Sequence, residues 1–127
     1  MQSQDSYNMA VCLWREARGE SIEAQRGVYW VIMNRVADHR WPDSVSKVIK
    51  QPLQFSSFNM NDPNFKVFPM PTSTPITIFE VIDNPGDDPT ERATNYHSYP
   101  EGSPHWPSWA TADRFTVKIG SFSFYRL

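Results

Sequence analysis

Apolar residues recur every three or four positions through the first half of this chain and every second position near its end, so the pattern predicts helices first and strands later. From Ser6 to Arg18, the residues Tyr7, Ala10, Val11 and Trp14 mark one face of a helix that Asp5 or Ser6 is placed to cap and Gly19 to end. Ser21 opens a second helix from about Ile22 to Asp38, with Glu23 in its electropositive first turn and an apolar stripe of Val28, Val31, Ile32 and Val36. Trp41-Pro42-Asp43 stops it and sets up a short third helix carrying Val45, Val48 and Ile49. From Leu53 to Pro75, prolines and asparagines punctuate an aromatic stretch and predict a long loop. Ile76 to Ile82 is β-rich in composition, yet the spacing of Ile78, Phe79 and Ile82 suits a short helix, which is the expectation here. The cluster Asn84-Pro85-Gly86-Asp87-Asp88-Pro89 is a turn, Ala93 to Tyr99 a strand and Pro100 to Pro107 a loop. Phe115, Val117 and Ile119 alternate before Gly120, and Phe122 and Phe124 after it, so strands are expected on both sides of a bend. Helices followed by short irregular strands predict an α+β fold, one domain over residues 1–127.

Size and charge narrow the possible partners. A chain of 127 residues fills one compact domain and not two independent ones. A net charge of -2, with no run of Lys or Arg, gives no electrostatic footprint for nucleic acid, so no nucleic-acid partner is expected. The longest apolar segment, Val28 to Met33, is too short to span a bilayer, and the opening Met1-Gln2-Ser3-Gln4-Asp5 is polar; the expectation is a monomer made in the cytoplasm without a signal peptide or membrane insertion. Cys12 is the sole cysteine, which excludes an internal disulfide, and its apolar neighbours Ala10, Val11 and Leu13 predict an inert buried thiol.

Three groups of side chains are candidates for chemistry. Glu16 ends the first apolar stripe among Trp14, Ala17 and Gly19; a carboxyl group placed there against apolar surroundings is suited to hold a proton and deliver it to a glycosidic oxygen. Glu20 shares a helical face with it only if the helix runs past Gly19, which glycine argues against. His97 and His105, with Tyr96 and Tyr99, form a polar aromatic stretch, but His39, His97 and His105 show no spacing of metal ligands, so no metal and no cofactor are expected. Phe55, Phe58, Phe65, Phe68, Trp106 and Trp109, interleaved with Gln54, Ser56, Ser57, Asn59 and Asn61, suit the apolar faces and hydroxyls of a neutral glycan.

Several blocks, in order, resemble the SleB/CwlJ-type cell wall hydrolases. Glu16-Ala17-Arg18-Gly19-Glu20 is similar to the family's leading E-[AS]-R-G-E, and Gln25 and Val31-Ile32-Met33-Asn34-Arg35-Val36 follow at the right distance. Gln51-Pro52-Leu53-Gln54-Phe55-Ser56 looks like its Q-P-x-Q-F-S element; Gly86, Asp88-Pro89-Thr90 and Ala93-Thr94 like its G-x-x-D-P-T-x-x-A-T segment; Ile119-Gly120 with Phe124-Tyr125 like its I-G-x-x-x-F-Y ending. The chain departs from the family where Glu91-Arg92 replace glycines, which suggests a turn of different geometry or a surface role, where Phe122 replaces a histidine, and where Tyr96-His97-Ser98-Tyr99 replace an aromatic-Asn-Pro element.

The resemblance implies a lysozyme-like α+β domain that cleaves the bond between N-acetylmuramic acid and N-acetylglucosamine in the glycan strands of peptidoglycan. It makes Glu16 the catalytic acid of a lytic transglycosylase, with Glu20 structural, paired with Arg18 or Arg35, and with Gln54, Phe55, Ser56, Tyr96 and His97 on the substrate side. The biological setting expected is bacteriophage lysis, the enzyme reaching the wall once a separate protein has opened the membrane. Two other readings stay open: a zinc-dependent N-acetylmuramoyl-L-alanine amidase, and a non-catalytic peptidoglycan-binding module.

Overall fold

The structure, a computed structural model, describes residues 1, 3–51 and 76–127. The long loop predicted from Leu53 to Pro75 lies outside the described residues. In chain order the elements are α1 (Ser3–Ala17), α2 (Ile22–Ala37), α3 (Val45–Ile49), α4 (Ile76–Asp83), β1 (Asn95–His97), β2 (Phe115–Ile119) and β3 (Phe122–Tyr125). The strands form one antiparallel sheet in the order β1-β3-β2, with Tyr96 opposite Phe124. Helices first and a small sheet after them is the α+β arrangement the sequence predicts.

Local chemistry explains most boundaries. α2 begins where Ser21 Oγ accepts the Ala24 N–H at 3.2 Å, and α3 where Ser44 Oγ accepts from Lys47 N at 3.3 Å. α1 starts three residues earlier than expected and ends as Gly19 turns at φ +89. Its buried face differs in part, since Val11 is buried and Ala10 packs on the core as expected. Met9, Cys12, Leu13 and Ala17 enter the core, whereas Tyr7 stays exposed and Trp14 is only half-buried, its ring covered by the Arg18 guanidinium at 4.4 Å. Aromatic rings with a polar atom tolerate the surface; Met9 and Leu13 do not, and they set the rotation of the helix. In α4, Ile78 and Val81 are buried while Phe79 is exposed.

The core joins Met9 and Leu13 of α1, Val28, Val31 and Ile32 of α2, Val48 and Ile49 of α3, Ile78 and Val81 of α4, and Phe124 of β3. Phe124 lies so close to α2 that a Cβ on Gly27 would collide with its ring, so glycine at this position is what lets the sheet approach the helix. At the other end of the sheet, the β2–β3 turn at Gly120 (φ +59) and Ser121 is tied to the α1–α2 turn, because Ser121 Oγ donates to Glu20 Oε1 at 2.8 Å.

Between α4 and β1, Asp88 organises the turn. Its Oδ1 accepts from the N–H and hydroxyl of Thr90, and its Oδ2 from Arg92 N and Asn34 Nδ2. Held this way, Glu91 and Arg92 adopt φ +56 and +65, a region that favours glycine. Of the two expectations for this turn, a different geometry or a surface role, the second holds: the backbone stays glycine-like and both charged side chains are exposed.

Candidate active site

Glu16 falls on the buried stripe of α1, one turn beyond Cys12 and two beyond Met9, so its carboxyl group leaves the core edge half-buried rather than pointing into solvent. Arg35 repeats this placement on α2: it continues the stripe of Val28, Val31 and Ile32 and is buried, its Nε donating to the Thr94 carbonyl at 2.6 Å. Desolvation lowers the Arg35 pKa to about 10, opposed by Tyr96 and Cys12, which leaves it charged at neutral pH. Between the two helices stands Tyr96 of β1, whose hydroxyl donates to Glu16 Oε1 at 3.2 Å across 80 residues of sequence.

The Tyr96 ring is braced by Phe122 at 5.0 Å and Phe124 at 5.9 Å. Burial first, and then the negative charge of Glu16, push the phenol pKa well above its ordinary value. Tyr96 therefore keeps its proton and acts toward Glu16 as a donor only. Cys12, beneath Glu16, is fully buried and its thiol is likewise pushed up by burial and by the Glu16 charge, which makes it an inert floor rather than a nucleophile.

The backbone just past Glu16 is fixed from α2. Buried Gln25 donates through Nε2 to the Ala17 carbonyl at 3.3 Å, which also accepts the Glu20 N–H, and to the Glu20 carbonyl at 3.4 Å, so the α1–α2 turn is tied to α2. Glu20, expected to pair with Arg18 or Arg35, takes its hydrogen bond from Ser121 and is part of the frame around the site.

His97 is placed differently from Tyr96. Strand alternation turns it to the opposite face of β1, where it is 5% exposed among Tyr99, Trp106, Trp109 and Tyr125. Its Nδ1 accepts the Tyr99 N–H at 3.1 Å, which leaves the ring proton on Nε2 to donate to the Tyr125 hydroxyl at 3.0 Å. Both nitrogens are engaged within the protein, and burial lowers the ring's pKa. Gln54, Phe55 and Ser56 lie outside the described residues. His105 is exposed, and His39 lines a cavity at the end of α2. Among the described residues, no three His, Cys, Asp or Glu side chains converge as a metal site would require.

This frame of helices and sheet has known counterparts, and residues 19–125 match the cell wall hydrolase family. The chain belongs to that family. The family match begins just after Glu16, but the likeness to solved family members runs the full length. The catalytic domain of the germination-specific lytic transglycosylase SleB from Bacillus anthracis superposes with a TM-score of 0.75 at 29% identity, covering 99% of this chain and 97% of that one. The catalytic domain of the Bacillus cereus SleB protein gives 0.72 at 30% identity, covering 99% and 93%. Two spore cortex-lytic enzymes, from Halalkalibacterium halodurans and Bacillus subtilis, are 33% and 32% identical over 98 residues, or 77% of this chain. The chain spans less than a third of the length of these two relatives, 28% and 30%. The expected lysozyme-like α+β fold is thus the fold of SleB catalytic domains.

Sequence reasoning passed over Arg35 as a site residue. Its signal was present in the periodicity, since it stands three and four residues after Ile32 and Val31 on an apolar stripe.

Proposed function

We propose that this chain is a lytic transglycosylase that cleaves the glycan strands of peptidoglycan between N-acetylmuramic acid and N-acetylglucosamine, with Glu16 as its one acid and base. The observation that carries the reading is the half-buried Glu16 carboxyl, oriented by the Tyr96 hydroxyl, in a domain shared with a structure described as a lytic transglycosylase. The Glu16 proton passes to the bridging oxygen as the bond from muramic C1 to that oxygen breaks. The resulting carboxylate then takes the proton of the muramic 6-hydroxyl, whose oxygen bonds to C1 and closes a 1,6-anhydro ring. Glu16 ends protonated, as it began. A second carboxylate across the bond, which hydrolytic glycosidases require, has no task in this scheme.

Tyr96 serves here as a positioning residue for Glu16, and His97, with both nitrogens engaged on the far face, as framework. Gln54, Phe55 and Ser56 remain the proposed glycan contacts, on sequence grounds. Bacteriophage lysis is the proposed setting; co-expression with a membrane-opening protein should clear a culture faster than expression of either protein by itself.

Digestion of purified sacculi followed by mass spectrometry of the fragments tests the chemistry. Anhydromuramic ends are expected; reducing muramic ends show hydrolysis instead, freed stem peptides an amidase, and binding without cleavage a non-catalytic module.

A further inference from the structure

We propose that the cavity at the C-terminal end of α2 is a second binding site, for a carboxylate of the peptide stems that branch from the wall glycan. This rests on the reading above for its ligand, not for its geometry. The cavity has a volume of about 610 Å³, and Arg40, Arg92, Arg126 and His39 line it together with Asp38 and Thr94. Three arginines face the Asp38 carboxylate and the Leu127 carboxyl group there, which leaves a local positive excess on a chain whose net charge is -2.

The three arginines are not equivalent. Arg40 is held: its Nε and Nη2 donate to Asp38, Nη2 also donates to the Leu127 oxygen at 2.6 Å, and its guanidinium lies 4.7 Å over the Trp41 ring. Asp38 stays an anion, its pKa lowered to about 2 first by the side-chain hydrogen bond with Arg40, so this pair is electrically matched. The side chains of Arg92 and Arg126 make no hydrogen bond or ion pair with another described residue. The nearby acidic groups have other partners: Asp88 is occupied by Thr90, Asn34 and the Arg92 N–H, the Leu127 carboxyl group by Arg40, and Glu91 is exposed to water. Two planar, permanently charged groups facing one cavity suit a carboxylate.

Arg92 also carries its charge at φ +65, a conformation L side chains rarely adopt, pinned there by Asp88. The cavity and Glu16 are linked through the chain at β1. Thr94 lines it, and Tyr96, two residues further along the chain, donates its hydroxyl to Glu16. A peptide stem branching from a strand at Glu16 extends by about 3.3 Å per residue, and its carboxylates are the groups proposed to meet these guanidiniums.

Binding of a soluble stem tripeptide to the full chain, followed by isothermal titration calorimetry, tests the site without relying on turnover. The wild type should bind it, and the pair Arg92→Gly with Arg126→Gln should weaken binding about tenfold, as two partly exposed charge contacts allow. Arg92→Gly removes the charge while easing the backbone, so a folding defect does not mimic the result. Equal binding of the same tripeptide with amidated carboxylates, inorganic phosphate binding as tightly as the tripeptide, or an unaffected double variant would each overturn the proposal. In turnover, the double variant should show a raised KM on strands with peptide stems and none on strands stripped of them. Should no glycan be cleaved while the tripeptide still binds, the transglycosylase reading fails and this site stands.

Discussion

Tyr96 and His97 are neighbours in β1, both aromatic and both hydrogen-bonded, yet they serve opposite faces of the sheet. Tyr96 faces the helices, where its hydroxyl meets Glu16 and its ring packs on Phe122 and Phe124. His97 faces away, into rings of Tyr125, Trp106 and Trp109, with both nitrogens bound to partners that never leave the protein. The inner face holds a half-exposed carboxyl group beside the Tyr96 hydroxyl, and the outer face closes its hydrogen bonds among buried rings. Satisfied polar groups stabilise; a polar group kept open to a ligand is where reactivity resides.

Substitutions should separate the faces. Glu16→Gln removes the proposed acid and base while preserving shape, so sacculus cleavage should fall about 10³-fold with an unchanged melting temperature. An active Gln variant with normal turnover would place the chemistry elsewhere. Tyr96→Phe removes only the donor to Glu16; kcat should drop about tenfold with little change in KM, consistent with a lost hydrogen bond to a charged group. A change confined to KM would instead make Tyr96 a substrate contact.

Changes behind or outside the inner face should be read in stability. Gly27→Ala forces a methyl group into Phe124 and should cost about 1–3 kcal/mol in denaturant unfolding. His97→Phe on the outer face leaves the Tyr125 hydroxyl and Tyr99 N–H without their partner, costing about 1–2 kcal/mol with kcat preserved. This substitution should also alter the pH dependence of stability. Unfolded chain takes up a proton at this ring near pH 6.5, folded chain only below that, so the wild type loses stability as pH falls through 6.5 and the Phe variant loses less. Smallest of all, Glu91→Gly relieves a left-handed residue on neither face and should gain about 0.5–1 kcal/mol.

The legible parts of the fold were those specified locally. Ser21 capping α2, the short α3, the helix from Ile76 and the strands flanking Gly120 each depend on residues within a few positions of one another. The rotation of α1 was not legible, because Tyr7 and Trp14 count as apolar in a pattern but accept partial exposure, so Met9 and Leu13 decide the buried side. At the site, Glu16 stood out by its place at the end of the first amphipathic stretch and its resemblance to a motif. Its partner across 80 residues did not, since such pairing is set by how the sheet docks on the helices. The divergence of Tyr96 and His97 follows from the two-residue period of a strand and was present in the sequence once β1 was assigned.

Cys12 lies sealed under Glu16 and is the one thiol in the chain. Alkylating reagents reach it only when α1 lifts from its bed, which turns this side chain into a built-in clock for excursions of the domain: the rate of labelling reports how often the floor of the carboxyl niche opens.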